Sequence, residues 1–197
     1  MRPLLSFTVL TVLLTGCVNI GAKGPKPTAL LTLHATSITA SDRAITGLAG
    51  DAITIGLPLT PQSLAVARIP VTDGRGQITY LTGVTWVEPP SRLFKALLTD
   101  AIATKTGRLI LDPRQTLQKA GSDLTGQLLD FGIDLPSKSV IVTYDALLTH
   151  ANTKLVASRR FQARMQLAAL DGPEVSAALN QAANDVATQI AEWVRTN

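Results

Sequence analysis

Hydrophobic and polar positions alternate along this chain in three distinct rhythms. The first is an unbroken apolar run, Leu4 to Leu14, behind a single basic residue, Arg2. It is too short to span a bilayer, for which about 20 apolar residues are needed, and it has the order of a secretory signal. The second rhythm is period two, which predicts strands with one wet face. It is clearest in Ser139 to Thr149, where Val140, Val142, Tyr144, Ala146 and Leu148 share a face. It recurs in Leu155 to Leu167, with Phe161, Ala163, Met165 and Leu167 facing in and Arg160, Gln162, Arg164 and Gln166 facing out. Leu129, Phe131, Ile133 and Leu135 predict a strand before these two, with Asp130 and Asp134 pointing away and Pro136-Ser137-Lys138 turning the chain, so that the three form an antiparallel meander.

The third rhythm is helical. After Glu88-Pro89-Pro90-Ser91, where proline stops a strand and suits a first helical turn, Leu93, Phe94, Leu97, Leu98, Ala101 and Ile102 recur at three and four, with Arg92, Lys95 and Thr99 opposite. Gly107 closes that helix, and Arg108 to Leu111 reads as a short strand before Asp112-Pro113. Gly172-Pro173-Glu174 opens a second helix, whose stripe is Val175, Leu179, Ala182, Val186, Ile190 and Trp193. Weaker signals predict strands at Ala29 to Leu33 and Ala52 to Leu59, a loop from Ala35 to Gly50, and a helical turn at Pro61-Gln62-Ser63-Leu64. Asp73-Gly74-Arg75-Gly76 predicts a hairpin turn between Ala67 to Val71 and Gln77 to Trp86. The expected architecture is α/β (α+β): one domain, with a mixed, mainly antiparallel sheet and two main helices packed on one face.

The end of the first apolar run changes the picture most. Leu14-Thr15-Gly16-Cys17 places the protein's single cysteine behind two small residues, and the four resemble a bacterial lipobox. That implies cleavage between Gly16 and Cys17, a diacylglycerol on the Cys17 sulfur, and attachment to a membrane by acyl chains that do not dissociate on a working timescale. Residues 1–16 are then the signal peptide and 17–28 the lipidated N-terminus and tether; 29–197 are the folded domain. The stretch from Val18 to Thr28 is rich in glycine, proline and lysine and poor in core formers. Val18 is not aspartate, which in enteric-type sorting directs a lipoprotein to the outer membrane, facing the periplasm.

Composition narrows the chemistry. Once Cys17 is acylated no cysteine is left for a disulfide, a thiolate metal site or a nucleophile. The net charge of +4 comes from scattered residues, and no basic run suggests nucleic acid. His34 and His150 lack partners at metal-ligand spacing, so no metal or cofactor is expected. No Gly-x-Ser-x-Gly elbow occurs, the glycines are too scattered for a phosphate loop, and Asp130-Phe131-Gly132 stands without the other kinase signatures. Asp100, Asp123, Asp130, Asp134 and Asp145 fall mostly on wet faces. The row Arg160, Gln162, Arg164, Gln166 reads as solvated surface, with contact to a partner or lipid head groups as its functional alternative. Trp86 and Glu88 read as a core plug and a first-turn charge.

Taken together, several segments resemble one family. The lipobox, Arg68-Ile69-Pro70-Val71, the run Tyr80-Leu81-Thr82-Gly83-Val84-Thr85-Trp86-Val87-Glu88-Pro89-Pro90-Ser91-Arg92-Leu93-Phe94, Leu128-Leu129-Asp130-Phe131, Arg160-Phe161-Gln162-Ala163 and Ile190-Ala191-Glu192-Trp193-Val194 look like the ABC-type transport auxiliary lipoprotein family, the PqiC-like lipoproteins. The resemblance implies an α/β domain with no enzymatic activity. It also implies a periplasm-facing lipoprotein that works with an MCE-domain protein and ABC transporter subunits in moving lipid between membranes, and it allows a homo-oligomer. Two other readings fit the same anchor: a partner of an outer-membrane barrel of the lipopolysaccharide-insertion type, and a lipid-anchored periplasmic enzyme, which requires acids or hydroxyls converging in a cleft.

Overall fold

The computed structural model describes residues 29–36 and 45–197. Its elements in chain order are β1 (Ala29–Leu31), β2 (Ile53–Ile55), β3 (Pro70–Thr72), β4 (Ile78–Tyr80), β5 (Val84–Trp86), α1 (Pro90–Thr106), β6 (Ser122–Asp134), β7 (Ser139–His150), β8 (Val156–Gln166) and α2 (Gly172–Thr196). Single 3₁₀ turns stand at Ala49–Asp51 and at Gln62–Leu64, the second within the predicted helical turn.

The main sheet is built on β6. Its pairing with β7, and that of β7 with β8, is antiparallel and runs nearly the whole length of the strands. The opposite edge of β6 is shared by two short parallel strands, β2 beside Ser122 to Leu124 and β3 beside Ile133 and Asp134. Strand β4 closes the hairpin with β3. Asp73 sets that turn by accepting the backbone N–H groups of Arg75 (2.8 Å) and Gln77 (3.0 Å), while Gly74 adopts a left-handed φ of 74°.

Five local expectations are corrected. The segment Gln77 to Trp86 is not one strand: the chain breaks at Gly83, and β5 joins β1 in a separate two-stranded parallel sheet. Arg108 to Leu111 makes only a bridge, Ile110 to Ile53, and the ladder of β2 spans three residues of the predicted Ala52 to Leu59. The strand predicted from Leu129 begins as β6 at Ser122, and a bulge between Leu128 and Asp130 shifts its register. Leu124 and Leu128 face the core before the bulge, Phe131 and Ile133 after it, so a strict period of two fails at Leu129. Leu135, predicted inward, lies in the turn beyond the strand and is exposed.

Both helices cover the same face of the sheet. α2 lies over β7 and β8 and packs against α1. It is capped by the Asp171 carboxylate, which accepts the Glu174 N–H at 2.9 Å, and every residue of its predicted stripe is buried. α1 begins with Pro90 and ends at Gly107 in the left-handed conformation that glycine adopts without strain. The few aromatic rings sit where the layers meet. Phe94 lies 5.4 Å from Tyr144 and 6.4 Å from Phe131, Trp86 stands edge-on to Phe131 at 5.5 Å, and Phe161 meets Trp193 at 5.6 Å. Trp86 is therefore a core plug, and Glu88 makes a loose surface pair with Arg92 at 3.7 Å.

Candidate functional site

Gly16 and Cys17, the proposed cleavage and lipidation positions, lie outside the described residues. The structure shows how residues 29–36 are received. Ala29 enters beside Gly83, its N–H donating to the Gly83 carbonyl, and β1 runs parallel to β5. The chain then crosses α2, where two asparagines hold it. Asn180 Oδ1 accepts the His34 N–H at 2.8 Å. Asn184 Oδ1 accepts the Thr36 N–H (2.9 Å) and hydroxyl (3.1 Å), while Asn184 Nδ2 donates to the His34 carbonyl (2.9 Å) and the Asn180 carbonyl (2.8 Å). Asn184 is buried with both ends of its amide satisfied, the condition under which a polar group is tolerated there. Its only sequence signal is a polar residue between Ala183 and Val186 in the apolar stretch of α2.

One cluster has the residue types of a hydrolase and not its geometry. Ser122 Oγ lies 3.0 Å from His150 Nδ1 and accepts from Arg108 Nη2 at 2.7 Å. Arg108 also donates to the carbonyls of Asp51 (2.8 Å) and Ala52 (3.2 Å), and burial pulls its pKa down. Ser122 is only 2% exposed, and His150 Nε2 is buried with no hydrogen-bond partner among the described residues. Triad chemistry needs an exposed hydroxyl and a carboxylate orienting the imidazole. Here no carboxylate meets the imidazole among the described residues and the guanidinium is bonded to the serine itself, and the group ties the start of β6 to the end of β7 and to the loop before β2. Among the described residues no set of three or more histidine, cysteine, aspartate or glutamate side chains could hold a metal ion.

The outer sheet face carries cross-strand pairs in place of a free basic row. Arg160 grips Asp145 through two 2.6 Å bonds, Arg164 donates to Asp134 at 2.9 Å, and Gln162 donates to Thr143 at 2.9 Å. The Ser137 hydroxyl and then the Arg164 guanidinium hold the Asp134 carboxyl below its ordinary range; Arg160 does the same for Asp145. These guanidiniums are already neutralised and offer little to an added anion. Exposed pairs of this kind are worth about 0–1 kcal/mol each.

Beside that face are two adjoining hollows. One, of about 690 Å³, lies between α1 and the Asp112–Arg114 loop and is lined by Leu57, Arg92, Lys95, Ala96, Thr99, Asp100 and the loop. Asp112 and Arg114 are closed on each other by bonds of 2.6 to 3.2 Å. Burial raises the pKa of the Asp100 carboxyl. The second hollow, of about 530 Å³, continues from Leu57 past Leu59 to Leu147.

Residues 32–191 match the family of ABC-type transport auxiliary lipoprotein components. The chain belongs to this family. The auxiliary lipoprotein has its fold in common with protein XCC0632 from Xanthomonas campestris, of family DUF330, with a TM-score of 0.71 and 17% identity over 85% of this chain and 95% of that one. A second crystal structure, of an uncharacterized protein, superposes with a TM-score of 0.64 and 15% identity over 84% and 99% of the two chains. At these identities the likeness speaks for the fold alone. No curated protein sequence matches the chain. The family is that of an auxiliary transport component, and on that ground the lipoprotein has an auxiliary role alongside transporter subunits. Among the described residues no helix is long and apolar enough to cross a membrane.

Proposed function

We propose that the auxiliary lipoprotein is held by acyl chains on Cys17 at the inner face of the outer membrane and serves an MCE-domain protein and its ABC transporter in moving lipid between membranes. The observation that carries this reading is the family match over residues 32–191, set behind a lipobox-like sequence ending at Cys17. The tether between Cys17 and Ala29 spans about 40 Å when extended, at roughly 3.3–3.6 Å per residue. Anchoring at that range confines the domain to a thin layer of periplasm and raises the effective concentration at which it meets a periplasm-spanning partner, so a modest interface suffices. The domain, on this reading, docks and positions; it breaks no bond. Whether it works as a monomer or a homo-oligomer is part of the same test.

The test is purification of the tagged, lipidated protein from its own cells in mild detergent, with mass spectrometry of what accompanies it. MCE-domain and ABC transporter subunits are the expected companions. A barrel assembly protein in their place would sink the transport reading. Replacing the acceptor sulfur, Cys17→Ala, is expected to move the protein from the membrane to the soluble fraction with its thermal melt unchanged; persistent membrane association of a folded variant would refute the anchor.

A further inference from the structure

The two hollows beside Leu57 form one groove whose ends differ in chemistry. At the α1 end, Lys95 makes no ion pair within 4 Å among the described residues, and Arg92 is held only loosely by Glu88 at 3.7 Å. On the same helix Asp100 has neither a hydrogen bond nor a salt bridge among the described residues, although it lines the same cleft. Asp112 and Arg114, which also line it, satisfy one another and form a wall. The cleft therefore presents cations and a carboxylate side by side, with the Asp112 charge acting on Lys95 from the loop. At the other end the one charged lining residue, Asp145, is bonded to Arg160, and Leu57, Leu59 and Leu147 are 53%, 67% and 37% exposed among the polar Thr125, Gln127 and Ser158.

These leucines are not on a slack loop. Leu59 donates its N–H to the Gly126 carbonyl at 3.0 Å and accepts the Leu128 N–H at 2.8 Å, which seats it on the edge of β6. A rigid apolar trough opening into a cleft with both signs of charge matches an amphiphile with an apolar tail and a head bearing a phosphate and an ammonium. The volumes, about 690 and 530 Å³, lie in the range of small-molecule sites, about 300–1,000 Å³.

We propose that this groove binds one glycerophospholipid with a zwitterionic head: the phosphate sits by Lys95 and Arg92, the ammonium by Asp100, and an acyl chain lies over Leu57, Leu59 and Leu147. The proposal rests on the anchored reading only in that a lipidated protein lives beside a bilayer, where such a ligand is abundant. It makes the domain a lipid-handling module and not only a docking platform.

The test uses the full lipidated chain in detergent, with native mass spectrometry counting non-covalent phospholipid above the mass of the covalently lipidated protein. The probes are phosphatidylethanolamine and phosphatidylglycerol with the same acyl chains. One phosphatidylethanolamine per chain is expected, preferred over phosphatidylglycerol by tenfold or more. Leu59→Glu and Leu147→Glu, at exposed positions that leave the core alone, are expected to weaken binding at least tenfold with an unchanged melt. Asp100→Asn is expected to retain binding but abolish the preference for the ethanolamine head, a readout that a merely structural aspartate would not move. Equal uptake of both lipids by the wild type, or uptake indifferent to the leucine substitutions, overturns the proposal. So does photo-crosslinking from position 59 that captures a protein segment and no lipid. Lipid uptake is read without transporter subunits, so its failure and the failure of the partner purification are separate results.

Discussion

Asn184 offers the sharpest test of how the segment behind the tether is held. Replacing it with alanine removes three hydrogen bonds between α2 and residues 34–36, while the Asn180 bond to the His34 N–H stays. A net hydrogen bond contributes about 1 kcal/mol, so the docked segment loses about 3 kcal/mol before solvent is considered. His34 and Thr36 are exposed enough for water to replace part of this, which brings the expected loss to about 2 kcal/mol. At about 1.36 kcal/mol per decade that is a roughly 30-fold increase in the opening of residues 29–36. Native-state hydrogen exchange with peptide resolution reads it directly: the peptide covering β1 should lose protection while β6, β7 and α2 keep theirs. Asn184→Asp keeps the acceptor for Thr36, and its carboxyl when protonated can also donate to the His34 carbonyl, so at pH values where it is protonated it should open the segment less than alanine. Exchange of 29–36 unchanged in Asn184→Ala would show that β1–β5 pairing and the Asn180 bond suffice to hold the segment, and the Asn184 clamp argument would fall.

Three further outcomes follow from the core. Phe94→Ala empties a fully buried site between Tyr144 and Phe131 and should lower urea stability by about 3–5 kcal/mol, whereas Leu117→Ala, at a fully exposed position, should stay within about 0.5 kcal/mol. Gly121→Val puts a Cβ 1.8 Å from the Gly50 carbonyl oxygen and should cost on the order of 3 kcal/mol through displacement of the loop before β2, seen as a lower urea midpoint. Burial raises the Tyr144 phenol above its ordinary pKa of 10.0, so the folded state keeps a proton that the unfolded chain releases. Stability is then full below pH 10 and falls above it by about 1.4 kcal/mol per pH unit, and Tyr144→Phe should flatten that alkaline decline in urea titrations at pH 9 to 11.

Much of the fold was legible because two of its rhythms are local. A period of 3.6 in α1 and α2 and a period of two in β7 and β8 say which side of each element is dry, and burial agrees at each stripe residue except Ala101, Ala163 and Met165, which are half-buried. Periodicity does not say what the dry side meets. Nothing near Val84 announces that β5 leaves the hairpin to pair with β1, because strand pairing is chosen by contacts far along the chain. The bulge at Leu129 was hidden for the same reason: one extra residue on β6 is compensated only opposite β7.

The candidate sites divide along the same line. The lipobox is a linear signal read by enzymes on an extended chain, so sequence alone determines the expectation at Cys17. The Ser122, His150 and Arg108 cluster joins residues 14 and 28 positions apart, and the Asn184 clamp reaches 148 positions to Thr36. Only tertiary structure could place these, and only it could show that the serine is sealed and that the arginine row is already paired. The exposed leucines at 57 and 59 are the plainest case. An apolar residue in a predicted strand is expected to be dry, and it takes the break after Ile55, where four steps to Leu59 face three from Leu124 to Gln127 on β6, to turn Ile53 and Ile55 inward and leave Leu57 and Leu59 facing solvent.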